Sequence, residues 1–176
     1  MNLFSASFSN PGVTSIQDGD YYQTVLGLIR NSVNHCLCSV FIIDHALNED
    51  ADVRVDRVLL ELAGAAWRGV DTRLLIGGSR NNPKIRGATL LAKARADELG
   101  VETRLAAFSK HNSNHLKLVI GDNYILTGSH NWSRGMFGDQ TQDSVLLESS
   151  ALAAAMCAYF QQEWLKAKRD EYDVSV

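Results

Sequence analysis

The stretch HLKLVIGDNYILTGSHNWS, residues 115 to 133, reads as a strand, a tight turn and a second strand, yet it is dense in polar groups. Strand alternation puts His115 and Lys117 on one face, while Leu116, Leu118 and Ile120 sort to buried positions. Two groups able to carry positive charge are costly on a buried strand unless something anionic sits beside them. The loop after the second strand adds Gly128, Ser129, Asn131 and Ser133, which are small or hydrogen-bonding. A helix beginning near Asn131 would aim its free N–H groups at the same place and favour an anion there. An imidazole, an ammonium, a hydroxyl and an amide facing a helix start make a phosphate site.

Such a site needs a rigid frame, and the rest of the chain has the pattern of one. YYQTVLGLIRNSV (21–33) has helical spacing of its apolar residues, and CLCSVFIID (36–44) is a short buried strand. RVDRVLLELAGAAWRG (54–69) is an amphipathic helix ending at Gly69, and VDTRLLIGG (70–78) a second buried strand. Strand, helix and strand with short links make a parallel βαβ unit. GSRNNPKIRG (78–87) is rich in turn residues and predicts an exposed loop. ATLLAKARADELG (88–100) predicts a helix and VETRLAA (101–107) a strand. NYILTG pairs back on HLKLVIGD through a Gly-Asp-Asn turn. QDSVLLES (142–149) and ALAAAMCAYFQQEWLKAKRDEY (151–172) close the chain as a strand and a long helix. The expectation is one α/β domain over 1–176, with 1–18 an irregular lead. Its sheet should be mixed and mostly parallel, with helices on both faces.

Hydrophobic content of 45% and charged content of 21% over 176 residues are those of a globular domain. Net charge is −3, against a protein coated in positive charge for nucleic acid. The charge is uneven, however. Residues 79–117 hold eight basic residues, Lys84, Arg86 and Lys110 among them, against three acidic ones. This is either a solvated surface with uneven charge or a local anion site on an otherwise acidic protein. Three cysteines, with Cys36 and Cys38 too close for an easy disulfide, fit a reducing compartment. His35 beside them lacks the two-residue gaps and the second pair of a zinc site, so core packing is its expected role. The opening MNLFSASFSNPG has no basic region followed by an apolar run, and the longest apolar stretches are strand-sized. A cytoplasmic setting without stable membrane association follows as an expectation.

H-x-K-x4-D followed shortly by G-S-x-N resembles the signature of the phospholipase D superfamily. His115, Lys117, Asp122, Gly128, Ser129 and Asn131 match it in order. Six fixed positions coincide by chance only about once in 10⁷–10⁸ starting points. One departure is that five residues separate Asp122 from Gly128, where the family usually has six. Either the hairpin is tighter or the Ser/Asn loop is displaced. Two motif copies meet across an axis in this family, and no second H-x-K occurs in this chain. The chain therefore most resembles the small bacterial endonucleases, which build one site from two identical subunits.

The resemblance implies a metal-independent phosphodiesterase, most simply a nuclease acting as a homodimer on DNA or RNA, with no cofactor and no catalytic metal. His115 would attack phosphorus and form a covalent phosphohistidine. The partner subunit's imidazole would protonate the leaving oxygen and then activate water. Lys117 and Asn131 would stabilise the added negative charge, with Ser129 helping to bind the same oxygens. Asp122 counts with the catalytic set but is expected to brace the loop. Asp143 falls where small nucleases of this type have a carboxylate that orients the nucleophile's other nitrogen. Lys84, Arg86, Lys110 and Gly128 are the expected substrate contacts. His130, at the variable position, is expected to be a spectator or a rim contact, and Trp132 a core anchor. Two rivals share the motif: phospholipase or phosphatidyl-transfer chemistry, and a non-catalytic nucleic-acid-binding member of the fold.

Overall fold

A computed structural model of the chain describes residues 12–45, 53–79, 81–107 and 113–167. The elements run β1 (Val13–Gln17), α1 (Asp20–Asn31), β2 (His35–Val40), α2 (Val53–Trp67), β3 (Asp71–Ile76) and α3 (Pro83–Glu98). They continue through β4 (Glu102–Leu105), β5 (Lys117–Gly121), β6 (Tyr124–Gly128), a 3₁₀ turn at Gly135–Phe137, β7 (Asp143–Glu148) and α4 (Ser150–Lys166). All seven strands join one sheet in the order β1-β7-β6-β5-β2-β3-β4.

Local chemistry accounts for most of these boundaries. α2 buries Val55, Val58, Leu59, Leu62 and Ala65, a stripe at three- and four-residue intervals that lies on one face of a helix. Each such aliphatic side chain stabilises the fold by roughly 1.5–3 kcal/mol relative to exposure. Replacing Leu62 by Ala would open a cavity costing about 2–5 kcal/mol. α3 begins five residues before the apolar pattern suggests. Asn82 caps it by accepting from the N–H groups of Lys84 and Ile85, and Pro83 takes the first turn, where its missing N–H costs nothing. The expected loop over 78–87 is thus half helix. That moves Lys84 and Arg86 onto an exposed helix start.

The connections sort the helices. β2 to β3 and β3 to β4 are parallel crossovers running in the same direction across the sheet, so α2 and α3 cover one face together. α1 joins them there, and all three share a core with Cys36, Cys38 and Val119. The other face carries α4, whose Ala153, Phe160 and Trp164 pack on Leu37, Leu118 and Ile120. Helices on both faces of a mixed sheet are as expected. "Mostly parallel" is corrected: β1–β7, β7–β6, β6–β5 and β5–β2 are all antiparallel.

A second correction concerns the lead. Residues 13–17 are not irregular but form edge strand β1, in register with β7 from Val13 opposite Leu147 to Gln17 opposite Asp143. Only Ile16 of this strand is buried, which leaves almost no apolar alternation in the sequence to reveal it.

Candidate active site

Among the described residues, the strand directions bring the expected site residues other than Asp122 to one end of the sheet. β2, β3, β4 and β6 end there, while β5 and β7 begin there. Lys117 pairs with Val40, and β6 runs back so that Thr127 faces Leu118, which brings Gly128 level with Lys117. The two-residue turn between Gly121 and Tyr124 absorbs the shortened Asp-to-Gly spacing. The Ser/Asn loop starts beside the lysine.

Lys117 is 8% exposed, while His115 is solvent-accessible. The Lys117 ammonium lies 3.0 Å from His115 Nδ1 and 3.3 Å from Nε2, and donates to the His115 carbonyl at 3.0 Å. Phe41, just past β2, packs beneath both. Its ring centroid is 4.3 Å from that of His115 and 5.0 Å from Lys117 Nζ, a cation–π contact. Desolvation, and then the neighbouring Lys117 charge, push the His115 pKa below its ordinary value. Desolvation alone brings Lys117 down to about 8. The imidazole is therefore held neutral at pH 7 while the amine keeps most of its charge.

Asn131 stands opposite. Its side-chain oxygen accepts from the backbone N–H of Ile42 at 3.0 Å, which leaves the NH₂ as the end able to donate elsewhere. The chain runs on as a bridge, with Trp132 N–H donating to Ile42 and Asp44 N–H donating to Trp132. No helix begins at Asn131. The first helical turn is the short Gly135–Phe137 one, so the expected helix dipole is replaced by a side-chain amide locked to a strand end.

Ser129 is fixed from two sides: its N–H and hydroxyl both donate to the Asp143 carbonyl, at 2.8 and 3.0 Å, and the hydroxyl also bonds Gln142. Among the described residues no hydrogen bond joins Asp143 to His115. Asp143 holds Ser129 through its backbone. Gly128 is not a contact chosen for substrate alone, because a Cβ there would fall 2.3 Å from Ser144 Oγ and 2.4 Å from the Asp143 carbonyl. Gly77 has a similar reason, as a Cβ would meet the Asn114 carbonyl at 2.4 Å and Phe41 Cα at 2.9 Å.

His130 is neither a spectator nor a rim contact. It is fully buried, stacked on Tyr21 with centroids 4.1 Å apart and planes 4° apart. Its Nε2 lies 3.1 Å from the Asp18 carbonyl, so that nitrogen carries the proton, and Nδ1 accepts from Ser144 Oγ at 2.8 Å. Desolvation lowers its pKa and keeps it neutral. Trp132 is also fully buried, its indole N–H donating to Tyr21 Oη at 3.2 Å. The loop bearing Ser129 and Asn131 is thus clamped by its own interleaved aromatic residues. Arg54 of α2 fixes the return by donating to the carbonyls of Phe137 and Arg134.

Asp122 lies at the far end of β5, about 16 Å from Lys117 at ordinary strand rise. Its carboxylate accepts from Val33, Asn34 and His35 N–H at 2.8, 2.9 and 3.1 Å, fastening the hairpin to the start of β2. It braces the fold at the opposite end of β5 from Lys117. Lys84 and Arg86 sit on the first turn of α3, after β3 ends, and so lie at the site's edge of the sheet. Lys110 lies outside the described residues. Phe41 and Gln142 are additions that sequence reading missed, whereas His130, expected as a spectator or a rim contact, is buried. Only Phe41 left a signal, as the aromatic that interrupts an aliphatic strand end.

Among the described residues no group of three or more His, Cys, Asp or Glu is placed to hold a metal ion. No helix among them is long and apolar enough to cross a membrane.

No curated protein matches the chain. The solved structure of Nuc from Salmonella typhimurium, a phospholipase D family member, superposes with a TM-score of 0.71 at 21% identity. That alignment covers 92% of this chain and 98% of Nuc. NucT from Helicobacter pylori aligns at 14% identity and TM-score 0.64, over 88% of this chain and 98% of its own. Phosphatidylserine synthase from Haemophilus influenzae Rd KW20 aligns at 10% identity and TM-score 0.67, over 85% of this chain but 36% of its own. At these identities the likeness is one of fold. Family membership rests on sequence: the model described as cardiolipin synthase, PLD-like domain, matches residues 25–164, and the chain belongs to that phospholipase D-like family.

Proposed function

We propose that the protein is a metal-independent nuclease that cleaves phosphodiester bonds through a phosphohistidine at His115, in a site completed by a second copy of the chain. The observation that carries this reading is half a phosphoryl-transfer site at one sheet edge. A neutral, exposed imidazole touches a buried ammonium, and an oriented amide shares their edge. The chain supplies only one H-x-K, so the general acid must come from elsewhere, and a twofold axis supplies it.

The steps balance without a metal. A neutral ring nitrogen of His115 attacks phosphorus, and the bond to the leaving oxygen breaks. The second subunit's imidazole, protonated beside the negative charge of the bound diester, gives that oxygen its proton. The same imidazole, now neutral, takes a proton from water, whose oxygen displaces His115 and restores both groups. Lys117 and the Asn131 NH₂ stabilise the additional negative charge on the equatorial oxygens. Exposed Gly128, Ser129 and Arg134, within 128–137, lie where the two copies would meet.

Phosphatidyl transfer is the second reading, favoured by the description of the family model. The test is hydrolysis of single- and double-stranded DNA, RNA and a base-free diester in excess chelator, beside phosphatidylglycerol vesicles, with the mass in solution measured in parallel. Cleavage of nucleic acid in chelator by a dimer is expected. Activity only on vesicles would shift the assignment to lipid. A fully active monomer would remove the shared site.

A further inference from the structure

A cleft of about 250 Å³ opens on the α4 side of His115, lined by Ser113, Asn114 and His115 on one wall and Tyr159 and Glu163 on the other. We infer that this cleft is a nucleobase subsite: Tyr159 stacks an unpaired base beside the scissile phosphate, and Glu163 selects bases that present an amino group, cytosine over thymine. The inference rests on the nuclease reading and extends it to the single-stranded form of the substrate and to its sequence.

Tyr159 and Glu163 are four residues apart on α4 and therefore share a face. That part of the helix is held rigidly. Phe160 and Trp164, interleaved with them, are buried against the sheet, and Arg104 lies 4.5 Å above the Trp164 ring while donating to its carbonyl at 3.1 Å. Tyr159, by contrast, is 42% exposed, an aromatic face that packing leaves available. Lys166 holds the Glu163 carboxylate through a 2.7 Å bond to one oxygen.

Charge decides what the cleft takes. Its described lining contains a carboxylate and no lysine or arginine; Lys166 engages one oxygen of that carboxylate from outside the lining and leaves the other to accept from an N–H donor. A single aromatic ring suits the flat face of a base better than a quaternary ammonium, which is usually caged by several rings. The volume lies just under the roughly 300–1,000 Å³ of pockets for drug-sized ligands, so it admits one ring system and not a duplex. A base enters only unstacked, which makes single strands the substrate. A carboxylate accepts from cytosine N4–H₂ and meets the acceptor O4 of thymine unfavourably.

The experiment compares kcat/KM on oligodeoxycytidylate and oligothymidylate of equal length with that on bis(p-nitrophenyl) phosphate, which has no base. The wild type should prefer the cytosine strand by about tenfold. Glu163→Gln, whose amide both donates and accepts, should bring the two strands within about threefold. Tyr159→Ala should lower the ratio of strand to base-free rates by about tenfold, and Tyr159→Phe should restore it. Equal rates on the two strands, or a preference that survives Glu163→Gln, overturn the subsite while leaving the nuclease reading intact. Hydrolysis of the base-free diester without cleavage of either strand overturns both. Turnover of phosphatidylcholine vesicles that depends on Tyr159, with strand rates that do not, assigns the cleft to a lipid headgroup and also overturns it.

Discussion

Lys117 and Asp122 belong to the same motif and flank the same strand, yet the two ends of β5 are built on opposite principles. At the Asp122 end, burial disfavours ionisation but three backbone N–H groups outweigh it and hold the carboxyl below its ordinary pKa. The charge there is satisfied and contributes to stability. At the Lys117 end the ammonium is nearly buried, has another nitrogen base as its neighbour, and titrates at about 8. That depression costs on the order of 3 kcal/mol of stability when the amine is charged. An anion arriving between Lys117 and Asn131 would recover it. A satisfied charge marks structure and a frustrated one marks chemistry, although both carry equal weight in the motif.

The widest separation between the ends should come from His115→Ala. In a shared site the substitution removes nucleophile and general acid together, so the loss should exceed the ~10²–10⁴-fold typical of an acid–base group alone. Single-turnover hydrolysis measures it, and a mixed dimer with one substituted subunit should be nearly inactive. Half the wild-type rate in the mixed dimer would mean each subunit works alone.

Lys117→Met should lower kcat by roughly 10²–10³-fold. It should also stabilise the fold by about 1–3 kcal/mol, read as a higher urea midpoint, because a costly charge gives way to an apolar chain of similar size. A destabilised Lys117→Met protein would break the contrast between the ends.

Asp122→Ala should do the reverse. The three orphaned N–H groups should cost about 2–3 kcal/mol in urea unfolding, with a smaller loss of kcat than Lys117→Met shows. Because the folded pKa of Asp122 is depressed, its contribution is full above the unfolded carboxylate value of about 4 and is lost as pH falls through the folded value. Asp122→Asn should therefore flatten the acid limb of stability against pH.

The smallest effect is a shift in the pH profile. Lys117 must be charged to act, so kcat/KM should fall as pH rises through about 8, and Lys117→Arg should carry that limb upward. In the proposed shared site one His115 is neutral and its partner copy protonated, so the depressed pKa should move the activity optimum below the ordinary histidine value of about 6.5.

Residue types and spacing along the chain were enough to single out His115, Lys117, Ser129 and Asn131 as candidates and to read the α2 and β3 units, because local periodicity reports which faces are buried. Asn82 and Pro83 show the true start of α3 equally plainly, but the turn-rich composition of 78–87 outweighed them. β1 is a different case. With one buried residue in five, it exists because β7, far along the chain, offers it a ladder. The antiparallel pairing of β2 with β5 is likewise a non-local choice, and it overturned the expected parallel bias. The same pairing set the chemistry: it laid Phe41 under the His115–Lys117 pair and brought Ile42 to the Asn131 oxygen, and it left Asp122 at the far end. A linear pattern encodes which residue types are present and which face they take. Which of them share an end of the sheet depends on strand order and direction, settled only when distant segments compete for the same hydrogen bonds and the same buried surface.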